Sequence, residues 1–235
     1  PSLQDEIERL RFIKENKLAY IITIGSANKA LIANGIYPDA VTTYDPKARN
    51  ILVFEDIITK KIKDIPMIFG SSVGYSTVNN YTGPLLHMIT SQDAISGYYL
   101  GDEGLNEKGE VMLDAPSIAV LTLQMLMNLG CSPIIFVGQN FAYRDELYYA
   151  GGIEYSFRSQ QLTEQEKAKQ IQVESVDGGM VYTDESHDQA RLQMEMYLNK
   201  VQGISIWNAT KGGAKIHGTH FKPLEEILEE NLKEP

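Results

Sequence analysis

The sequence predicts an α/β fold, a mainly parallel sheet with helices on both faces and long irregular loop insertions. Three observations carry that prediction. Short apolar, β-rich runs at residues 18–25, 39–46 and 66–70 alternate with helical stretches, at the spacing that strand–helix–strand units need. These runs are nearly continuous in apolar character rather than alternating, as strands buried on both faces are. Two stretches rich in Tyr and Gly, residues 70–114 and 139–161, break the alternation and read as lids or binding loops. Taken together these features describe a Rossmann-like sheet.

The first element is at the N-terminus, where Pro1-Ser2-Leu3 leads into an amphipathic segment at 4–17, a helix. LAYIITIG (18–25) is a buried strand ending in glycine, and SANKALIANG (26–35) is a helix closed by Gly35 as its C-cap. DAVTTYDP (39–46) is a second strand, stopped by Asp45-Pro46. NILVF (50–54) and PMIFG (66–70) read as further strands with a helix between them. APSIAVLTLQMLMNLG (115–130) is a strong helix with Pro and Ser at its start, and PIIFVG (133–138) is the clearest buried strand. QVESVDGG (172–179) forms a strand and turn, 184–200 a helix, ISIWN (204–208) the last strand and 223–233 an acidic helix.

At 235 residues, with 43% hydrophobic and 22% charged, the chain can bury a sizeable core. No Pro-, Gly- or Ser-rich linker divides it, so a single domain spanning 1–235 is expected. A net charge of -10 disfavours nonspecific binding to nucleic acid or anionic membrane. No apolar run approaches the roughly 20 residues of a membrane span, and no secretory pattern opens the chain. The single Cys131 forms no internal disulfide; it reads as a buried structural thiol in a reducing cytoplasm. Starting at Pro1 without a methionine, the chain reads as a piece of a longer protein.

Chemistry concentrates in NATKGGAKIHGTHF (208–221), directly after the last strand. Gly212 and Gly213 permit positive φ or close approach of a ligand. Asn208, Thr210 and Lys211 surround them at a strand's carboxyl end, where α/β sheets place ligands. Gly138, Gln139 and Asn140 close the best strand in the same way, with amides suited to a base or sugar edge. Ser117 opens a helix and offers a hydroxyl beside free N–H groups, although a plain N-cap explains it equally. Tyr143, Tyr148, Tyr149 and Tyr155 offer phenols and flat faces, or simply pack their own loop. Asp45 and Asp177 end strands, where carboxylates also serve as caps. His87, His187, His217 and His220 show no metal-ligand spacing; His217, inside the glycine motif, is the best general-base candidate.

Several of these segments, in this order, resemble the Maf family of motility-associated glycosyltransferases. That family belongs to the MptE-like superfamily, named after archaeal 6-hydroxymethylpterin diphosphokinases. The resemblance rests on LGCSPIIFVGQNFAY, DGG and NATKGGAKIHGT, with NGIYPDAVTTYDP and the N-terminal Pro-Ser-Leu in support. It implies a sialyltransferase-like core that moves a nonulosonic acid, pseudaminic or legionaminic, from a CMP-sugar to Ser or Thr of a flagellin-like acceptor. On that pattern Asp45, Tyr149 and His217 are the catalytic candidates. Ser2, Ser117, Gly138, Gln139, Asn140, Tyr143, Asp177, Asn208, Thr210, Lys211, Gly212 and Gly213 would hold nucleotide or substrate.

No cofactor is firmly implied, and Mg²⁺ is the one candidate ion. Four departures stand out: Asn140 replaces the family's usual Asp, Lys211 its Glu, Ala115-Pro116-Ser117 a Gly-Gly-Ser helix start, and Tyr149-Ala150 a Thr-His-Ala segment. The alternatives are a diphosphokinase using ATP and Mg²⁺ and a non-catalytic nucleotide-sugar-binding module.

Overall fold

The computed structural model describes residues 2–100, 111–115, 117–144, 146–147, 155, 161–201 and 203–231. The chain forms two compact units, Ile21–Cys131 and a split unit made of Pro1–Tyr20 with Ser132–Pro235.

The 21–131 unit is built on four parallel strands, β1 (Ile22–Ile24), β2 (Ala40–Thr43), β3 (Met67–Gly70) and β4 (Leu85–Met88), in the order β1-β2-β3-β4. Successive strand residues point to opposite faces, and β2 shows what covers each face. Val41 joins Met67 of β3 in one apolar cluster with Ile32 of the Ala27–Ala33 helix, Ile57 of the Glu55–Thr59 helix, Phe54 and Ile65 beside that helix, and Tyr81 at the end of the Tyr75–Asn80 helix. Thr42, its neighbour, turns the other way, and its hydroxyl lies 2.8 Å from that of Thr122 on the Ile118–Asn128 helix. Helices therefore flank this sheet on both faces, as the apolar strands predict. Each fully buried aliphatic side chain of the cluster contributes roughly 1.5–3 kcal/mol. Tyr81 keeps its hydroxyl satisfied on the Ile65 carbonyl at 2.9 Å, and burial raises its phenol pKa far above the ordinary value.

One predicted strand is absent. Residues 50–54 lie in a 3-10 segment, Ala48–Val53, that ends at Phe54. Asn50 forces the turn: its N–H bonds the Lys47 carbonyl at 2.9 Å and its side-chain amide donates to the Thr43 hydroxyl at 2.8 Å. A five-residue apolar run cannot by itself distinguish a strand from a buried helical turn. The stretch read as irregular, 70–114, holds β4 and the Tyr75–Asn80 and Ala94–Leu100 helices; residues 101–110 lie outside the described residues. Cys131, expected to be buried, is only partly so.

The split unit has a three-stranded parallel sheet, β5 (Ile134–Phe136), β8 (Ile206–Asn208) and β9 (His220–Phe221), in the order β5-β8-β9. Beside it stands an antiparallel hairpin, β6 (Ile171–Glu174) and β7 (Met180–Thr183). Gly178 and Gly179 turn that hairpin at φ 88° and 78°. Its helices are Ile7–Glu15, Glu164–Lys167, Glu185–Leu198 and Leu224–Asn231. Asp184 caps the Glu185–Leu198 helix by accepting from the His187 N–H at 2.8 Å. Among the described residues no helix is long and apolar enough to cross a membrane.

Candidate functional site

In the split unit, β5 and β8 run parallel with Phe136 opposite Asn208, so both strands deliver their following loops to the same end of the sheet. The loops are tied together by polar groups of the chain. Gln139 N–H donates to the Thr210 hydroxyl at 3.1 Å, and Ala214 N–H to the Asn140 carbonyl at 2.8 Å. Asn208 folds back so that its Oδ1 accepts the Thr210 N–H at 3.0 Å. Ser2, which begins the 3-10 turn before the first helix, donates its hydroxyl to Asn140 Oδ1 at 2.9 Å in a buried contact. Ser2, Gln139, Asn140, Asn208 and Thr210 therefore meet in one place.

Three glycines make that meeting possible, for different reasons. Gly138 sits at φ 75°, and a Cβ there would come within 3.0 Å of the Leu3 Cβ. Gly212 takes φ 67° with nearly open space around it, so it supplies a conformation. Gly213 has no positive φ; it supplies room, because a Cβ would meet the Asn140 carbonyl oxygen at 3.0 Å and its Cα at 3.2 Å. Phe141 next in line adopts φ 46°, a left-handed conformation costly for a bulky residue, and the Thr183 hydroxyl holds its carbonyl at 2.7 Å.

The polar inventory ends in two orphans. The Nδ2 atoms of Asn140 and Asn208 are buried and have no hydrogen-bond partner. For Asn208 the amide orientation is set by its oxygen, which must face the Thr210 N–H. An unsatisfied buried donor costs about 1–3 kcal/mol.

Charge around this end is mixed. Asp177 accepts the Gly212 N–H. Lys211 lies near Glu6, and its charge with that of Arg9 partly opposes the burial that raises the Glu6 pKa. Arg144, whose Cδ would lie 3.8 Å from a Cβ on Gly212, pairs with Asp5. Tyr143 donates its hydroxyl to Asp184. Burial pulls the Asp184 carboxyl up, but the Tyr143 hydroxyl, the His187 N–H and the His187 charge outweigh it and hold it below the ordinary value. His217 is engaged elsewhere: its N–H and Nδ1 lie 2.9 and 3.0 Å from Glu195 Oε1, an oxygen that Arg191 also reaches at 2.6 Å.

The remaining candidates lie apart from this cluster or beyond description. Asp45 and Ser117 belong to the 21–131 unit. Asp45 there accepts the Lys47 N–H at 2.9 Å, and Ser117 is the N-cap of the Ile118–Asn128 helix, accepting from Ala119 N at 3.3 Å. Tyr149 lies outside the described residues. Ser175 and Glu6 are parts of the cluster that the sequence did not single out. Ser175 donates its hydroxyl to the Gly213 carbonyl at 3.4 Å; it follows β6 directly, so the strand end in QVESVDGG could have marked it, whereas Glu6 lies in the N-terminal 3-10 turn with no such signal. Among the described residues no three His, Cys, Asp or Glu side chains gather as a metal site.

A family model described as 6-hydroxymethylpterin diphosphokinase MptE-like matches residues 1–146. Among solved structures the chain is similar to one described as the structure of MAf glycosyltransferase from Magnetospirillum magneticum AMB-1, with a TM-score of 0.73 and 19% identity. That likeness covers 100% of this chain and 33% of the other, so this chain spans a third of that length. At such identity the likeness is one of fold. No curated protein matches the sequence.

Proposed function

We propose, on the premise that the chain belongs to the 6-hydroxymethylpterin diphosphokinase MptE-like family, that it is a transferase whose split unit holds a nucleotide-activated sugar at the carboxyl ends of β5 and β8. The observation that supports this most is the pair of buried donors, Asn140 Nδ2 and Asn208 Nδ2, left without acceptors. A cytosine edge offers a carbonyl oxygen and a ring nitrogen as acceptors, and a nucleotide adds phosphate oxygens. Lys211 supplies a cation for those oxygens against the overall charge of -10.

The finer reading makes the donor a CMP-nonulosonic acid of the pseudaminic or legionaminic type and the acceptor a Ser or Thr hydroxyl of a cytoplasmic flagellin-like protein. The likeness in fold to a MAf glycosyltransferase supports it. In that transfer the bond from the anomeric carbon to the phosphate oxygen breaks and its electron pair leaves with CMP. The acceptor oxygen bonds the carbon, and its proton passes to a base. His217 is the candidate within the split unit, its Nδ1 turned to Glu195. Roles for Asp45, Ser117 and Tyr149 belong to this proposal on sequence grounds alone. A second reading, a diphosphokinase using ATP with Mg²⁺, is favoured by the family's own description.

Thermal shift against CMP, CDP, ATP and GTP, with and without Mg²⁺, separates the two. A ligand that binds only the folded chain adds RT ln(1 + [L]/Kd), about 2.7 kcal/mol at a hundredfold excess over Kd. The transferase reading expects CMP to raise Tm and Asn140→Ala to shrink that rise. If ATP with Mg²⁺ stabilises while CMP does nothing, the diphosphokinase reading replaces it. If no nucleotide stabilises the protein, both fail.

A further inference from the structure

The 21–131 unit carries a polar cluster that the nucleotide reading leaves unused. Ser71 comes directly after β3, and His87 lies on the neighbouring strand β4, in register with Phe69, whose ring centroid is 5.3 Å from the imidazole. The Ser71 hydroxyl oxygen is 2.5 Å from His87 Nε2 and donates its proton to Asp93 Oδ2. Asp93 is held from its other side by Ser96, whose N–H reaches Oδ1 at 3.0 Å and whose hydroxyl reaches Oδ2 at 2.7 Å. Only 4% of the Asp93 side chain is exposed, against 36% for His87. All three residues lie at the carboxyl ends of β3 and β4, the end at which parallel sheets take ligands.

Hydrogen counting fixes what the imidazole can do. A serine hydroxyl carries one proton. Burial pushes the Asp93 carboxyl up, but hydrogen bonds from Ser71 and Ser96 and the His87 charge outweigh it and keep it below its ordinary value, hence ionised. An ionised carboxylate only accepts, so the Ser71 proton is committed to Asp93. The serine oxygen must then accept from His87 Nε2–H. The neutral ring is left with its lone pair on Nδ1, and no hydrogen bond to Nδ1 is formed by the described residues. Ser71 is not set up as a nucleophile, because its proton goes to the carboxylate and not to the histidine.

We propose that Ser71, His87 and Asp93 form a proton-accepting site for a sugar hydroxyl, with Nδ1 of His87 as the accepting atom and Ser71 and Asp93 as the residues that position it. A hydroxyl is the matching partner because Nδ1 offers a lone pair and the adjacent carboxylate repels anions. The helix that Asp93 precedes, Ala94–Leu100, presents Tyr98 and Tyr99 at 83% and 79% exposure, amphipathic rings suited to the apolar face of a sugar. When that hydroxyl attacks an activated sugar or phosphoryl donor, its O–H bond breaks as an N–H bond forms at Nδ1, the oxygen's electron pair makes the new bond, and the donor's leaving group departs with the pair of the bond that breaks. The imidazolium keeps its Nε2–H on Ser71, and the Asp93 charge offsets its own. A base so placed accelerates hydroxyl chemistry by about 10²–10⁴-fold.

The test is NMR of the full chain labelled with ¹⁵N-histidine. The His87 Nε2 proton is expected as a downfield, slowly exchanging signal that disappears in Ser71→Ala and Asp93→Asn while the backbone spectrum is retained. Methyl galactoside and methyl N-acetylgalactosaminide are then titrated, with inorganic phosphate as a separate arm. The glycosides are expected to move the His87 Nδ1 resonance saturably, and several-fold less in Ser71→Ala; phosphate is expected to leave it in place. A neutral ring protonated at Nδ1 would overturn the proposal. So would a response to phosphate alone, no response to either glycoside, or a glycoside response that Ser71→Ala leaves unchanged. Nucleotide binding does not enter this measurement, so its outcome is separate from that of the transferase reading.

Discussion

The two sheets end in opposite kinds of chemistry. The carboxyl end of β5 and β8 is built of amides and hydroxyls packed away from water, with Asn208 0% exposed and Thr210 1%. The end of β3 and β4 is built of a hydroxyl and an imidazole on the surface, Ser71 and His87, with the carboxylate of Asp93 tucked beneath. A buried amide end binds by hydrogen-bond matching and depends on the fold around it. An exposed acid–base end depends on proton positions and can be altered without disturbing the core. On the two proposals the same parallel-sheet geometry would serve recognition in one unit and proton transfer in the other, according to the side chains at and after each strand's carboxyl end.

The comparison breaks if substitutions at the two ends cost alike. The largest effect is expected from Gly213→Val, whose added atoms meet the backbone of Asn140 at 3.0–3.2 Å, a neighbour that cannot swing aside. Overpacking of this kind costs about 1–3 kcal/mol, and denaturant unfolding should place this variant at the upper end. Asn208→Ala should come next: it strips the buried Thr210 N–H of its acceptor, a loss of about 1–3 kcal/mol, read as a lowered Tm. Ser2→Ala removes one hydroxyl donor from Asn140 and should cost about 0.5–1.5 kcal/mol. At the other end, His87→Ala should change stability by less than about 0.5 kcal/mol, as surface substitutions do. An unfolding midpoint for His87→Ala as low as that of Asn208→Ala would erase the distinction.

Acid sharpens the contrast further. Asp93 and Asp184 both have folded pKa values held below the ordinary 3.8. As acid is added the unfolded chain therefore binds protons before the native one does. The stability these carboxylates contribute is intact above the unfolded value and is lost as pH falls through the lower folded values. Asp93→Asn should flatten the loss of stability below about pH 4, where unfolded aspartates protonate. An unchanged acid limb would show that Ser71, Ser96 and His87 do not hold the charge. The smallest effect belongs to Lys211→Ala: near-native stability, weaker nucleotide binding and a flatter salt dependence of that binding.

Much of the β5/β8 end was legible because glycine and strand-end signals are local. Gly212-Gly213 after ISIWN, and Gly138-Gln139-Asn140 after an apolar run, mark a turn at a strand's carboxyl end whatever the tertiary structure. The division of labour between the two glycines was not legible, since the room Gly213 provides is defined by Asn140, a residue 73 positions earlier in the sequence. Ser2 came from the family resemblance; its contact with Asn140 spans 138 positions and carries no local signature. The β3/β4 end stayed hidden for another reason. β4 exposes Leu85 and Leu86, so it lacks the buried apolar pattern that identified β1 to β3. With β4 unread, nothing in the sequence placed His87 beside Ser71. NILVF failed in the opposite direction, apolar enough for a strand but turned by Asn50.

The central claim is that the two orphaned amides hold a nucleotide. Side-chain amide NMR reads them directly, with Asn140→Ala and Asn208→Ala assigning their Nδ2 signals. On titration with CMP the Nδ2 signals of Asn140 and Asn208 are expected to shift together and saturate with the thermal stabilisation. If CMP binds, moving backbone signals elsewhere, while both amide pairs stay where they were, the claim is contradicted.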